Sequence, residues 1–205
     1  SKTIDGFNSE SLIYFYNKYI IKWFNESVNK LEKKELLLRF DGVRKQIQIN
    51  LPEIVLPQAL VYYDDLFAGY QMEFIYGKSL NNILEDESLS FEFKRNVLIE
   101  LGKVLERMDN VRKNVLPLRN LFINDLHGDN VMVMPDGQIK LLEVDSMKFN
   151  NSYNFAAYYL NQLYYSKMYK LRDKYDQGLE SILANRESDL YCYIMIVLNF
   201  ICGKS

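Results

Sequence analysis

The chain has few of the residues that build metal centres and crosslinks. Its 205 residues include one histidine and two cysteines, Cys192 and Cys202, which share one apolar run. If that run is helical, the helical rise separates the two thiols by about 15 Å, beyond the reach of a disulfide. The composition therefore argues against a zinc site and favours a reducing, cytoplasmic setting.

The sequence has no excess of one charge and no long apolar run, and we expect no signal sequence. The formal charge is −2, so no basic field attracts nucleic acid, and we expect no nucleic-acid partner. The longest apolar run, Leu190–Cys202, is interrupted by Asn199 and is too short to span a bilayer. Residues 1–11 lack a basic segment followed by an apolar one. We expect no membrane segment and a cytoplasmic protein, with a secreted effector left open.

What is present is the composition of one globular domain, since 48% of the residues are hydrophobic and 25% are charged. Proline and glycine are sparse, with four and nine residues, and no low-complexity linker is visible. We predict a single α+β domain over residues 1–205, with a seam near Tyr76-Gly77-Lys78.

The first third of the sequence is rich in strand signals. The run from Leu12 to Phe24 predicts a hairpin that turns at Asn17-Lys18. A helix over Val28–Phe40 follows, with Asn25 or Ser27 as its cap. Two more strands are predicted over Gln58–Tyr63 and Tyr70–Ile75, joined through Asp64-Asp65 and Gly69.

The remainder is mainly helical. Apolar residues close to a 3.6 period predict a helix over Phe91–Met108. One hairpin is predicted from Val131–Met134 and Gln138–Val144, with the turn Pro135-Asp136-Gly137 between them. From Tyr153 the pattern is helical again, through the apolar run at the end.

A polar loop, Ile123–Asn130, carries the strongest chemical signal. Phosphoryl transfer needs a carboxylate near the acceptor hydroxyl, oxygen ligands for Mg²⁺ and a cation on the phosphates. Asp125 and Asn130 lie five residues apart in this loop, and Glu143 and Asp145 follow at the end of the predicted hairpin. The hairpin can therefore return an acid to a metal that Asn130 binds.

The polar loop resembles the D-x-H-x-x-N catalytic loop of the protein-kinase-like superfamily, as seen in aminoglycoside and choline kinases. The stretch Ile139–Asp145 resembles the strand that enters the metal-binding D-F-G segment. The resemblance implies a bilobal kinase-like fold. Its small β-rich lobe with one helix would be residues 1–76, and a reduced, mainly helical lobe would be residues 77–205.

The strand Tyr19–Lys22 resembles the V-A-I-K strand of kinases, which implies that Lys22 binds the α- and β-phosphates of ATP. Either Glu35 or Glu32 would be its partner on the following helix, and Leu31 and Leu38 favour Glu35. Both acids lie in a charge-rich segment, where the alternative is a solvated side chain.

The stretch from Gln71 to Gly77 resembles the hinge on which adenine rests. The resemblance implies nucleotide contacts at Met72, Glu73 and Ile75, with backbone groups of Glu73 and Ile75 holding the base.

The implied cofactors are ATP and Mg²⁺. Their site residues would be Asp125 as the base, Lys22 and His127 on phosphate, and Asn130 with Glu143 or Asp145 on the metal. The last match concerns Asp189, which begins the final apolar helix and resembles the aspartate that braces the catalytic loop in kinases.

Each of these residues also has a structural interpretation. Lys22 can guard an edge strand, and His127 can be a structural hydrogen-bonding group. Asp145 can cap the segment after it, Glu143 can be strand surface, and Asp189 can be a plain helix N-cap. The sequence alone leaves Glu143 and Asp145 both open as the metal ligand.

The chain also departs from the kinase pattern. It has no G-x-G-x-x-G loop, and Gly6–Ser11 is at most a shortened phosphate cover. Ile123 stands where histidine is usual, and Glu143 stands where aspartate is usual. No A-P-E-like segment occurs between Phe149 and Glu187.

We therefore expect an ATP- and Mg²⁺-dependent phosphotransferase, and more than one acceptor is open. We favour a protein Ser/Thr hydroxyl, with a small-molecule hydroxyl as the alternative. A pseudokinase that binds nucleotide or acts as a scaffold is a rival, and a toxin or effector is a third possibility.

Overall fold

The computed structural model describes residues 3–4, 11–149 and 186–202, which form an α+β fold with small antiparallel sheets. The helices of this part are α1 Lys30–Gly42, α2 Arg44–Asn50, α3 Leu80–Glu85, α4 Phe91–Asn114 and α5 Arg186–Cys202. Its strands are β1 Thr3–Ile4, β2 Ser11–Tyr16, β3 Tyr19–Phe24, β4 Ala59–Tyr63, β5 Leu66–Glu73, β6 Lys78–Ser79, β7 Leu121–Phe122, β8 Val131–Val133, β9 Ile139–Leu141 and β10 Lys148–Phe149.

The first third forms a five-stranded sheet in the order β1-β2-β3-β5-β4. Both predicted turns are confirmed, because Asn17, Asp64 and Asp65 take the positive φ values that tight hairpins require. Gly69 was predicted in a turn but lies inside β5. A side chain there would place Cβ 1.9 Å from the carbonyl oxygen of Lys22, so glycine allows β5 to lie against β3.

Helix α1 begins later than predicted, and its cap is neither Asn25 nor Ser27. The side chain of Asn29 accepts a hydrogen bond of 3.3 Å from the backbone N–H of Glu32. The buried face of α1 contains Leu37 and Phe40. Positions 33, 37 and 40 are spaced by four and three residues, so they share this inner face.

Helix α4 packs its apolar face into the core and runs to Asn114, beyond the predicted end at Met108. The predicted hairpin is confirmed as β8 and β9, which β6 extends to three strands. A short segment after α2 joins this sheet: Val55 donates its N–H to the carbonyl of Leu141 at 3.0 Å. One hydrophobic core extends from α1 to α5.

Among residues 3–4, 11–149 and 186–202, no helix has both the length and the apolar character needed to cross a membrane. The predicted helix from Tyr153, the short glycine segment before Ser11 and the stretch searched for an A-P-E motif lie outside the described residues, apart from their ends.

Candidate functional site

Lys22 and Tyr70 meet a single buried carboxylate. They are paired across β3 and β5, so their side chains leave the sheet on the same face. The Tyr70 hydroxyl donates to Asp145 Oδ1 at 2.7 Å, and Lys22 Nζ donates to the same oxygen at 3.1 Å. Lys22 Nζ also donates to Glu143. The sheet therefore positions one ammonium between the two acids for which the sequence left the metal role open.

A second ammonium reaches this group from α1. Lys33 Nζ donates to the backbone carbonyl of Asp145 at 2.9 Å and lies 3.4 Å from its Oδ2. Lys22, Lys33, Tyr70, Glu143 and Asp145 together are called the lysine cluster below. Two cations and two acids make it close to neutral when all four are charged.

The two acids of the cluster differ in exposure and backbone. The Asp145 side chain is fully buried, whereas that of Glu143 is 30% exposed. Strand β9 ends at Leu141, and Glu143 adopts a φ of 59°. The strand predicted over Gln138–Val144 therefore ends early: the chain leaves the sheet before Glu143 and takes a left-handed step there. Such a conformation in a residue other than glycine is often found at functional sites.

Charge and burial shift the pKa values of Glu143 and Asp145 in opposite directions. Burial raises the pKa of Glu143 above its ordinary 4.5, and the charges of Asp145 and Asp125 raise it further, against the attraction of Lys22. Asp145 is buried more deeply, which by itself would raise its pKa. The two lysines and the Tyr70 hydroxyl more than offset this, so the pKa of Asp145 lies below its ordinary 3.8. Asp145 is thus the more firmly ionised acid.

Burial would lower the pKa of the Lys22 ammonium, but the charges of Asp145 and Glu143 and its hydrogen bonds to both raise it above 10.5. For the Tyr70 hydroxyl, burial and the same two carboxylates act together and raise its pKa well above 10.0. Lys22 is therefore a cation and Tyr70 a neutral donor at neutral pH.

The polar loop is held by its own side chains. Asn130 Nδ2 donates to the backbone carbonyl of Asp125 at 3.0 Å and to its Oδ2 at 3.3 Å. His127 Nδ1 accepts the backbone N–H of Asp129 at 3.3 Å, and its Nε2 lies 3.8 Å from Asp125 Oδ2. The loop thus brings Asp125 and Asn130 together, and His127 lies beside Asp125.

His127 lies between two carboxylates. Because Nδ1 accepts a hydrogen bond, the neutral ring carries its proton on Nε2, the nitrogen that faces Asp125. Burial would lower the pKa of His127, but the hydrogen bond to Asp125 and the charges of Asp125, Asp129 and Glu143 raise it above 6.5. The charge of Glu143 thus acts on the polar loop across the site.

Asp189 contacts the polar loop from behind, as the resemblance implies. Its two carboxylate oxygens accept the backbone N–H groups of Ile123 and Asn124, each at 3.1 Å. Arg112 of α4 lies 3.8 Å from the same carboxylate. Burial raises the pKa of Asp189 to about 6, although these hydrogen bonds and Arg112 act to lower it. One buried side chain thus joins α4, α5 and the start of the loop.

Two further hydrogen bonds connect the polar loop to the lysine cluster. The backbone N–H of Leu142 donates to the Asn130 carbonyl at 2.9 Å. Asn124, at a φ of 65°, donates from Nδ2 to the carbonyl of Ser146 at 3.1 Å. The chain segments on both sides of Glu143 are therefore fixed against the loop.

Of the residues predicted to contact the base, Met72 is buried, Ile75 is half-buried and Glu73 is exposed. Strand β5 ends at Glu73, and the next backbone N–H, at Phe74, donates to the Lys18 carbonyl at 2.9 Å. The residues compared with a hinge therefore lie at the end of β5 and in the linker that follows it.

Neither Glu32 nor Glu35 pairs with Lys22, so this expectation is wrong for both. Glu32 Oε1 lies 3.6 Å from Lys148 Nζ, and Glu35 is exposed. The reason is that the face of α1 that packs against the core is not the face that Leu31 and Leu38 indicated. Leu31 and Leu38, which favoured Glu35, are 67% and 51% exposed, so they mark the outer face of α1. The inner face presents Lys33 instead.

Sequence reasoning missed Lys33 and Tyr70. Lys33 shares the inner face with Leu37 and Phe40, but α1 also has apolar residues on its outer face. Spacing alone therefore did not identify this lysine. Tyr70 becomes a candidate only when the register of β3 against β5 is known, because the residue opposite Lys22 follows from strand pairing.

The described residues contain no group of three or more His, Cys, Asp and Glu side chains placed to hold a metal ion. The proposed ligand set differs from such a group because it includes an amide, Asn130, with one or both of Glu143 and Asp145. A cavity of about 310 Å³ between α4 and α5 is lined partly by Asp189 and Arg112. It is a different place from the nucleotide site that the resemblance implies.

No protein-family model matches the chain, and no curated protein matches it.

Proposed function

We propose that the chain is a protein-kinase-like phosphotransferase that uses ATP and Mg²⁺ and transfers the γ-phosphate to an acceptor hydroxyl. The observation that carries this proposal is the pairing of two groups: Asp125, His127 and Asn130 in one loop, and Lys22 between Glu143 and Asp145 beside it. Phosphoryl transfer requires a carboxylate, a cation and oxygen ligands in one place.

The donor set fits Mg²⁺, which prefers oxygen ligands. Asn130 directs Nδ2 toward Asp125, which turns its amide oxygen the other way. Glu143 is partly exposed, whereas Asp145 is buried and bonded to Tyr70 and both lysines. Asn130 and Glu143 would therefore hold the metal, with Asp145 behind them. The metal ion would neutralise the charge that develops on the phosphates during transfer.

Asp125 would orient the acceptor hydroxyl and take its proton. Its Oδ2 already accepts a hydrogen bond from Asn130 and faces His127 Nε2, so the carboxylate has a fixed direction. The Lys22 ammonium would move to the α- and β-phosphates, and His127 would donate to phosphate from Nε2.

The acceptor we favour is a protein serine or threonine. The support is the contact of Asp189 with the polar loop, because the resemblance to protein kinases, rather than to small-molecule kinases, rests on α5, the helix that contains Asp189. Labelled ATP, Mg²⁺ and a cell lysate test both acceptors. Label found in protein as phosphoserine or phosphothreonine supports the favoured acceptor. Label found in small molecules and not in protein would show that the acceptor is a small-molecule hydroxyl.

A pseudokinase is the second candidate, and one observation favours it. Lys22 is bonded to both acids of the lysine cluster, and α1 supplies no acid to hold it. An ammonium held this way can stabilise the fold without any nucleotide. ATP binding without transfer to any acceptor would support this candidate, and the absence of both binding and transfer would contradict the two candidates together.

A further inference from the structure

Asp145 has two cationic partners, Lys22 and Lys33. Its Oδ1 accepts hydrogen bonds from Tyr70 and Lys22, whereas its Oδ2 and its backbone carbonyl face Lys33. The carboxylate is completely buried. A buried charge is costly unless it is paired and hydrogen-bonded, and Asp145 has partners on both oxygens.

The two lysines hold Asp145 differently. Lys22 divides its ammonium between Asp145 and Glu143, and Glu143 is the partly exposed acid of the two. Lys33 approaches from the inner face of α1 and contacts Asp145 at two of its oxygens. Lys22 can therefore leave Asp145 while Lys33 stays.

The release of Lys22 from Asp145 matters because a lysine that binds an anionic ligand must first give up its hydrogen bonds to acids. Removing one partner of a buried ion pair leaves an uncompensated charge and destabilises the fold strongly. With Lys33 and Tyr70 in place, Asp145 keeps one cation and one hydroxyl donor after Lys22 has turned away.

We propose that Lys33 is a positioning residue that keeps the charge of Asp145 compensated, and so allows the Lys22 ammonium to move to the phosphates of a nucleoside triphosphate. This inference rests on the proposed function for the identity of the ligand. The pairing of Lys22 and Lys33 through Asp145 can be tested without any ligand.

The ligand-free test is a double-mutant cycle of Lys22→Met and Lys33→Met, followed by thermal unfolding. Each lysine can replace the other at Asp145, so we expect each single variant to lower Tm by about 4 °C or less and the double variant by about 10 °C or more. Adding Asp145→Asn should remove most of the extra loss. If the double variant does not fold, the triple variant with Asp145→Asn should fold.

The ligand test measures ATP affinity through the fluorescence of Trp23, the one tryptophan of the chain, which follows Lys22 on β3. Lys33→Met should weaken ATP binding about tenfold, because Asp145 then retains Lys22, and Lys33→Arg should restore it. The matched control is Lys34→Met. Lys34 is the next residue of α1 and lies over the Tyr62 ring, 5.2 Å from its centroid, so its loss should leave affinity unchanged.

The outcomes separate this inference from the proposed function. Additive losses of Tm, or a triple variant that fails to recover, overturn the pairing whatever ATP does. A non-additive cycle with unchanged ATP affinity in Lys33→Met overturns the release of Lys22. A non-additive cycle in a chain that binds no ATP supports the pairing and contradicts the proposed function alone.

Discussion

The lysine cluster and the polar loop hold their functional groups by different physical means. In the cluster, charge acts on charge: two ammonium groups and a hydroxyl surround the buried Asp145. In the loop, neutral donors meet fixed acceptors: the Asn130 amide donates to Asp125, and the backbone N–H groups of Ile123 and Asn124 donate to the Asp189 carboxylate. The difference is that cluster contacts can be exchanged for a charged ligand, whereas loop contacts keep one carboxylate in a fixed direction.

Under the proposed function, the two regions have separate tasks. A binding group must release its internal partners when the ligand arrives, and Lys22 has partners that another lysine can replace. A catalytic base must keep its direction during transfer, and Asp125, the base of the proposed function, accepts a hydrogen bond of 3.3 Å from the Asn130 amide at Oδ2. Substitutions in the two regions should therefore have different consequences.

The largest effect on stability is expected where the polar loop is held from behind. Asp189→Ala removes the acceptor of two buried N–H groups and the partner of Arg112. We expect a loss of about 3–5 kcal/mol in the free energy of unfolding, measured by urea denaturation. Asp189→Asn keeps one acceptor and is the matched variant, with a smaller loss. An alanine variant as stable as the parent would mean that Asp189 does not hold the loop.

The second effect is a pH dependence of opposite sign in the two regions. The pKa of Asp189 is about 6 in the folded chain, against an ordinary value of 3.8. Because the folded chain binds this proton more tightly, stability falls as the pH rises from about 4 to 6, by about 3 kcal/mol. Asp145 has a lowered pKa, so its contribution is present above 3.8 and is lost as the pH falls through the lowered value.

Urea unfolding of the parent, Asp189→Asn and Asp145→Asn at about pH 3, 5 and 7 tests the direction of both pH dependences of stability. The difference in stability between the parent and Asp189→Asn should shrink as the pH rises from about 4 to 7, because only the parent carries the Asp189 carboxyl. Asp145→Asn should be less sensitive to acid than the parent. Two variants with the same pH dependence as the parent would contradict the difference in electrostatics between the regions.

The smallest effect concerns the metal. Glu143→Ala should raise the Mg²⁺ concentration needed for half-maximal transfer about tenfold, more than Asp145→Ala does. The reason is that Glu143 is partly exposed whereas Asp145 is buried among Tyr70 and two lysines. Mg²⁺ titrations decide this once both variants are known to unfold cooperatively. A larger change for Asp145 reverses the assignment, and no change for either favours the pseudokinase.

The sequence predicted the elements whose signals are local. Hairpins turn at Asn17 and at Asp64-Asp65 because asparagine and aspartate tolerate positive φ, and the apolar period of α4 predicted a long helix. The spacing in the polar loop brought Asp125 and Asn130 together because five residues span one tight loop.

Predictions failed where contacts between residues far apart in the sequence determine the local structure. Leu31 and Leu38 marked an apparent apolar face of α1, yet the core lies on the other side, where Leu37 and Phe40 pack. No pattern within one segment shows which of two apolar faces meets the sheet. In the same way, Gly69 lies inside a strand because the Lys22 carbonyl of another strand occupies the space of a side chain.

The account is tested most directly by measuring ATP affinity and phosphate transfer in two variants side by side. Asp125→Asn should reduce transfer by about 10²–10⁴-fold and leave ATP affinity and Tm close to those of the parent. Lys22→Met should weaken ATP affinity about tenfold or more, and transfer should fall with it. Two results would contradict the division between a catalytic loop and a binding cluster. One is an unchanged transfer rate in Asp125→Asn, and the other is an unchanged ATP affinity in Lys22→Met.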